Sequence, residues 1–191
     1  MSIIVAGLDY SMSSPAICIH EGADWSIKNC TFYYLAKKPK LIIESDQLRG
    51  SLYQEYDSQQ ERFDNLSNWS LKHMNNHKVK SAGLEGYSYG SSSSRLFEIG
   101  ENTGLLKFKM WSFGIDFEVY APPSVKKFGC GKGNAGKDRM WEAFIAETDL
   151  HLFNLFGLEV GKNWNPVSDI VDAYYICKMR YFSVDNRTDL I

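Results

Sequence analysis

Two short apolar runs each end on a carboxylate: SIIVAGLDYS delivers Asp9 and VKSAGLEGYS delivers Glu85. Runs of this length and composition read as buried strands. Each would carry its acid out of the core at the end of a sheet. A third segment, SDIVDAYYI, sets Asp169 and Asp172 three residues apart, on one face of the start of a helix. Three separate segments can therefore meet in one carboxylate cluster. Like charges in one site raise each other's pKa. Hard divalent cations with oxygen ligands, Mg²⁺ above all, are the usual compensation. Two such ions about 3.5–4 Å apart are the standard apparatus of phosphodiester cleavage.

The rest of the composition sets bounds. A chain of 191 residues suits one domain spanning residues 1–191. No apolar stretch is long enough to span a bilayer, so no membrane partner is expected. MSIIVAGLDY lacks the basic n-region of a signal peptide. Cys18, Cys30 and Cys177 lie in apolar runs as candidate buried thiols, and Cys130 lies between glycines in a loop. No CxxC spacing occurs, which places the protein in a reducing cytoplasm. A net charge of −2 is a weak argument against a polyanionic partner. Charge distribution matters more than the sum. The segment SVKKFGCGKGNAGKDR concentrates Lys126, Lys127, Lys132, Lys137 and Arg139 against Asp138 alone.

Residues 3–9, 14–21 and 29–36 read as three strands of an antiparallel meander. Residues 37–56 show no clear period. A helical stripe covers 57–77, and KVKSAGLE returns as a strand ending at Glu85. GYSYGSSSSR is a polar loop in which any of Ser91 to Ser93 could cap the next helix, over 94–113. IDFEVYAPP is a strand ended by two prolines, SVKKF a short helix, and GCGKGNAG a loop. KDRMWEAFIAET is an amphipathic helix, DLHLFNLFGLEVGKNWNP is apolar and irregular, and Ser168 caps a last helix reaching about residue 182. The order βββ-α-β-α-β-α-α predicts an α/β fold. Its mixed five-stranded sheet has three antiparallel N-terminal strands, then parallel strands, flanked by helices. The ends of strands 1 and 4 can then be neighbours.

That arrangement, with these carboxylates, resembles the ribonuclease H-like fold, and within it the RuvC-type Holliday junction resolvases. GLDYSMSSPAI resembles the family's first strand, with Asp9 and Ser11 in the Asp and Ser positions. GLEGYSYG resembles the segment with the catalytic Glu, filled by Glu85. SSRLFEIGENTGLL resembles a family helix whose two glycines are filled by Gly100 and Gly104. SVKKFGCGKGNAGKDRM resembles the family's lysine and glycine-loop segment, with Lys126 and Lys137 in the lysine positions. SDIVDAYYI resembles the closing helix with its paired acids, Asp169 and Asp172. The stretch between the third strand and the strand of Glu85 is longer than in the family, and residues 37–75 are only weakly similar.

The resemblance implies a metal-dependent, structure-selective DNA endonuclease that resolves Holliday junctions or other branched DNA. It would act as a homodimer, making paired symmetric nicks that leave 5′-phosphate and 3′-hydroxyl ends. Two Mg²⁺ ions per site, with Mn²⁺ able to substitute, are implied, and no nucleotide cofactor. The setting would be the cytoplasm of a bacterium or a phage-infected cell. Asp9 would bridge the ions, Glu85 would hold one, and Asp169 and Asp172 would complete the shell from the helix. The competing explanation for that pair is the ordinary preference of helix first turns for acids.

Lys126 and Lys137 would hold phosphates beside the metals, unless they are simply solvated. Lys127, Lys132 and Arg139 would add salt-sensitive backbone affinity. Ser11, Tyr87, Tyr89 and Arg95 are candidate DNA contacts, stacking on unpaired bases or binding phosphates. The alternative is a solvated loop whose tyrosines cover apolar surface. His73 and His77 have a zinc-compatible spacing but no third ligand, which favours a polar helix end. Gly100 and Gly104 either pack on the sheet or allow a subunit contact. Two rivals share the fold: a ribonuclease H-like nuclease on RNA–DNA hybrids or flaps, and a non-catalytic DNA-binding scaffold.

Overall fold

The run IIVAGLD is buried on both faces because it forms an interior strand, β1 (Ile3–Asp9), of a sheet covered by helices on each side. The computed structural model describes residues 2–87 and 93–185. Next come β2 (Ala16–Gly22), β3 (Cys30–Ala36), β4 (Leu48–Leu52), α1 (Gln59–Asn76), β5 (Ser81–Glu85) and α2 (Ser93–Ser112). The chain ends with β6 (Asp116–Tyr120), α3 (Pro122–Cys130), α4 (Lys137–Thr148), the short α5 (Leu152–Leu155) and α6 (Val167–Val184). The strand order is β4-β3-β2-β1-β5-β6. β1, β2 and β3 pair antiparallel, whereas β5 runs parallel to β1 and β6 parallel to β5.

The sheet has six strands where the sequence pattern predicts five. The extra strand, β4, pairs parallel to β3 at the sheet edge, inside the stretch 37–56 that carries no period. Only Leu48 of its five residues is buried, so no alternation announces it. Its position is set by pairing, and by the Tyr34 ring against Gly50, where an added Cβ would lie 2.5 Å from the Tyr34 hydroxyl.

Two helix starts also differ from expectation. Pro166, not Ser168, is the N-cap of α6, and Ser168 is buried in the first turn. Pro122 and Pro123 follow the end of β6 as expected, and they also open α3, ahead of the predicted helix; proline suits a first helical turn because its missing N–H would be unpaired there. The start of α1 is closed much as in a capping box: the Ser58 hydroxyl accepts from Glu61 N–H at 3.1 Å, and the Glu61 carboxylate accepts from the N–H of Asp57, one residue before the cap, at 3.0 Å. Ser91 and Ser92, two of the three candidate caps of α2, lie outside the described residues. At the other end of α1, His77 donates through Nδ1 to Glu21 at 2.7 Å and accepts from the Tyr33 hydroxyl at 2.7 Å. His73 stacks on the Tyr33 ring at 3.9 Å. The pair thus docks α1 on β2 and β3.

One face of the sheet is covered by α3, α4 and α6 around Phe144, Tyr174 and Ile176, the other by α1 and α2 around Leu66, Leu106 and Met110. Two close approaches place α6 over β1 and β5. A Cβ on Gly7 would lie 2.1 Å from the backbone N of Cys177, and one on Gly83 would lie 2.9 Å from the Ile176 side chain. Arg180 ties down the far end of α6 by pairing with Asp116 and, at 3.0 Å, with Glu118. All four cysteines are free thiols. Among the described residues no helix is long and apolar enough to cross a membrane.

Gly7→Ala forces backbone against backbone and is expected to cost about 3 kcal/mol, lowering the unfolding midpoint by roughly 6–12 °C. Gly83→Ala meets mainly side chains and should cost less. Thermal denaturation followed by circular dichroism checks the order, and equal losses would show that α6 does not rest on Gly7.

Candidate metal centre

Register decides where the first two acids sit. β1 and β5 run parallel with Leu8 opposite Leu84, so Asp9 and Glu85, one residue further along, leave the sheet side by side. α6 crosses the same two strands at Gly7 and Gly83 and lowers Asp169 and Asp172 onto that edge. Asp9 and Asp169 are buried, at 8% and 7% exposure, while Glu85 and Asp172 are half-buried.

The four acids feel one another. Burial, then the charges of Asp169, Glu85 and Asp172, hold the Asp9 carboxyl far above the usual carboxylate range. Burial and Asp172 push Glu85 up to about 7, against the pull of Lys126. Burial raises Asp169 to about 7, opposed by Ser14 and Lys137, and raises Asp172 to about 6, opposed by Lys126 and Lys137. A positive charge placed among these carboxyls would lower all four. Among the described residues no three acidic, histidine or cysteine side chains are gathered closely enough to form a finished ligand shell. The donor set nevertheless fits a hard cation. It consists of carboxylate oxygens, and Asp169 Oδ2 is buried without a hydrogen-bond partner.

Two lysines flank the acids. Lys137, at the first position of α4, donates to the Ser168 hydroxyl at 3.1 Å, and Ser168 sits beside Asp169. Lys126, on α3, is half-buried. With Glu85 and Asp172 they line a cavity of about 200 Å³ between α3, α4 and α6. Lys127, Lys132 and Arg139 are exposed and outside its walls.

A second cavity, of about 480 Å³, opens on the other side of Asp9 and Glu85 and includes Ser11, Tyr87, Arg62 and Lys37. Ser11 shapes the turn after β1, its hydroxyl accepting from Ser14 N–H at 3.0 Å. Lys107 lies 5.2 Å from the Tyr87 ring centre. Tyr89 lies outside the described residues, as does the side chain of Arg95.

Several neighbours escaped the sequence pattern. Ser14 touches the Asp169 environment and accepts from Asn165 Nδ2 at 2.6 Å. Ser168 positions Lys137. Arg62 and Lys37 come from the segments with the weakest signal. The available clue was adjacency: Ser14 closes the DYSMSS turn and Ser168 precedes Asp169.

Solved structures share this architecture along nearly the whole chain. Thermus thermophilus RuvC matches with a TM-score of 0.62 at 16% identity, over 97% of this chain and 98% of its own. The same protein in complex with a Holliday junction substrate gives 0.64 at 16% identity, over 97% of each chain. The yeast mitochondrial Holliday junction resolvase Ydc2 gives 0.57 at 13% identity, over 96% of this chain and 80% of its own. No family model matches, and no curated protein matches in sequence. The fold is therefore the ribonuclease H-like fold of these resolvases.

The raised acids make a pH prediction. Each binds its proton more tightly folded than unfolded, so folding takes up protons between about pH 4 and pH 7. The contribution is full below the ordinary carboxylate values and is lost as pH rises through about 7. In EDTA the unfolding midpoint should fall from pH 5 to pH 8. Asp169→Asn should raise it at pH 8 by a few degrees, about 2–4 °C per kcal/mol recovered by no longer burying a charge beside Asp172. A profile identical to wild type would mean that the Asp169 carboxyl is not held above the usual carboxylate range by its burial.

Proposed function

We propose that the chain, as one nuclease domain over residues 1–191, is a metal-dependent, structure-selective endonuclease that resolves Holliday junctions or other branched DNA. The observation that carries this reading is the convergence of Asp9, Glu85, Asp169 and Asp172, from three elements, on one buried edge beside two lysines. The likeness of the fold to resolvases supports the choice of substrate. Asp9, Glu85, Asp169 and Asp172 would hold two Mg²⁺ ions, for which Mn²⁺ could substitute. Bound there, the ions supply an activated water and charge for the leaving 3′ oxygen.

The chain's own groups do the rest. Lys126 and Lys137 present ammonium groups to a phosphate entering the cavity between α3, α4 and α6. Ser168 holds Lys137 Nζ in place, and the free amides at the start of α4 favour the same anion. Tyr87 offers a ring beside Asp9 and Glu85 for an unpaired base. Hydrolysis needs no covalent nucleophile and leaves a 5′-phosphate and a 3′-hydroxyl.

A four-way junction has two-fold symmetry, and a two-fold dimer would cut it in paired nicks. α2 supplies a face for a second copy. Phe97, Phe108 and Trp111 are 73%, 61% and 71% exposed, and Gly100 and Gly104 face open space with nothing within 4 Å of an added Cβ. These positions follow one another along one side of the helix. An exposed apolar stripe of this kind marks a protein interface, and its glycines permit close approach.

Cleavage of a synthetic four-way junction tests the enzyme reading. Wild type with Mg²⁺ should give paired, ligatable nicks, and Asp9→Asn should give none while still binding the junction. Lys137→Ala should slow single-turnover cleavage by about 10²–10³, more than it weakens binding. Intact junctions in every lane, or preferential cutting of an RNA–DNA hybrid, would overturn the proposal.

The dimer has its own check. Phe108→Glu with Trp111→Glu should convert a dimer to a monomer in analytical ultracentrifugation and turn paired nicks into single ones. A wild-type chain that sediments as a monomer with junction bound would contradict the two-fold arrangement.

A further inference from the structure

Beyond the acids, on the side away from Lys126 and Lys137, lies a cavity of about 280 Å³ that the nuclease chemistry leaves unused. Its polar lining includes Lys37, Lys38, Lys40, Ser13, Ser14 and Asn165. The three lysines come from KKPK, where β3 leaves the sheet, and all three are exposed. Like most lysines of the chain, none of them makes an ion pair among the described residues. Lys37 instead lies 5.5 Å from the Tyr53 ring centre. Three adjacent ammonium groups in no ion pair repel one another and attract an anion.

This cavity borders the one beside the metal centre. Lys37 and Ser13 line both it and the cavity that contains Asp9 and Glu85. Glu85 in turn lines the cavity of Lys126 and Lys137. Three neighbouring cavities therefore follow one another from Lys126 and Lys137, past Glu85 and Asp9, to Lys37, Lys38 and Lys40, with lysines at both ends and the acids between. Ser14 links the last of them to the acids, since it lies against Asp169 and accepts from Asn165 at 2.6 Å. A polymer with a negative charge at every repeat fits such a row better than a single small anion does. One strand of DNA carries a phosphate about every 3.4 Å along the helix axis.

We propose that Lys37, Lys38 and Lys40 form a backbone subsite that binds phosphates of the cut strand on the side of the metal centre opposite Lys126 and Lys137. The site takes DNA phosphates without regard to base sequence and holds the strand across the acids. This inference rests on the nuclease reading and adds to it the path of the strand.

Junction binding in EDTA, measured from low to moderate salt, tests it. Wild type, a Lys37→Ala/Lys38→Ala/Lys40→Ala triple variant, the corresponding Lys→Arg triple and a Lys126→Ala/Lys137→Ala variant are compared. The alanine triple should weaken binding tenfold or more. It should also lower the slope of log affinity against log salt by about 2–3, at roughly 0.9 per lost phosphate contact. Its single-turnover rate at saturating junction should change less than its affinity, and the arginine triple should restore the slope. An alanine triple with wild-type slope and affinity, beside a Lys126/Lys137 variant whose slope falls, overturns the subsite and leaves the nuclease reading standing. A wild-type chain that does not bind the junction overturns both. Lys37, Lys38 and Lys40 are solvent-exposed, and an unchanged unfolding midpoint confirms that each variant is folded.

Discussion

Four carboxylates in one buried edge cannot all be charged without help, and the rest of the molecule is arranged around that conflict. Burial alone raises every one of them, and their mutual repulsion raises Asp9 and Glu85 further. Lys126 and Lys137 relieve only part of it, from one side. A structure that served stability alone would not keep Asp169 Oδ2 buried and unpartnered. The strain is rational if the acids await a cation, because the same oxygens that repel one another then share a ligand.

The fold meets this demand with backbone rather than loops. Parallel pairing in register sets Asp9 and Glu85 at one sheet edge, and the missing side chain at Gly7 lets α6 lie against the strand that carries Asp9. Asp169 and Asp172 are thereby fixed relative to the strands by a packed helix, whose other end Arg180 anchors through Asp116 and Glu118. Sites carried by strands and helices hold their geometry better than sites carried by loops. On one side the acids face Lys126 and Lys137, the latter held by Ser168, and on the other lie the exposed Lys37, Lys38 and Lys40.

The acids were legible in the sequence because each closes a pattern. IIVAGLD and SAGLE are apolar runs that stop at a carboxylate, and the i, i+3 spacing of Asp169 and Asp172 is helical. α4 likewise begins at Lys137, where the glycine-rich loop ends. What was not legible depends on contacts between distant segments. β4 has one buried residue and owes its place to β3. Ser168 has the chemistry of a cap, yet Pro166 takes that position and frees the hydroxyl for Lys137. Ser14 meets Asn165 across 151 residues. The glycines of AGLD and AGLE were visible, but only the crossing of α6 shows why no larger residue could stand there.

The central claim is that these four acids are a divalent-cation site. Titration of the purified protein with Mn²⁺ at pH 8, followed by electron paramagnetic resonance of the free ion, tests it most directly. Two ions bound per chain in wild type, with loss of binding in Asp9→Asn, is the predicted result. A chain that binds no Mn²⁺, or binds it equally well without the Asp9 carboxylate, would contradict the account.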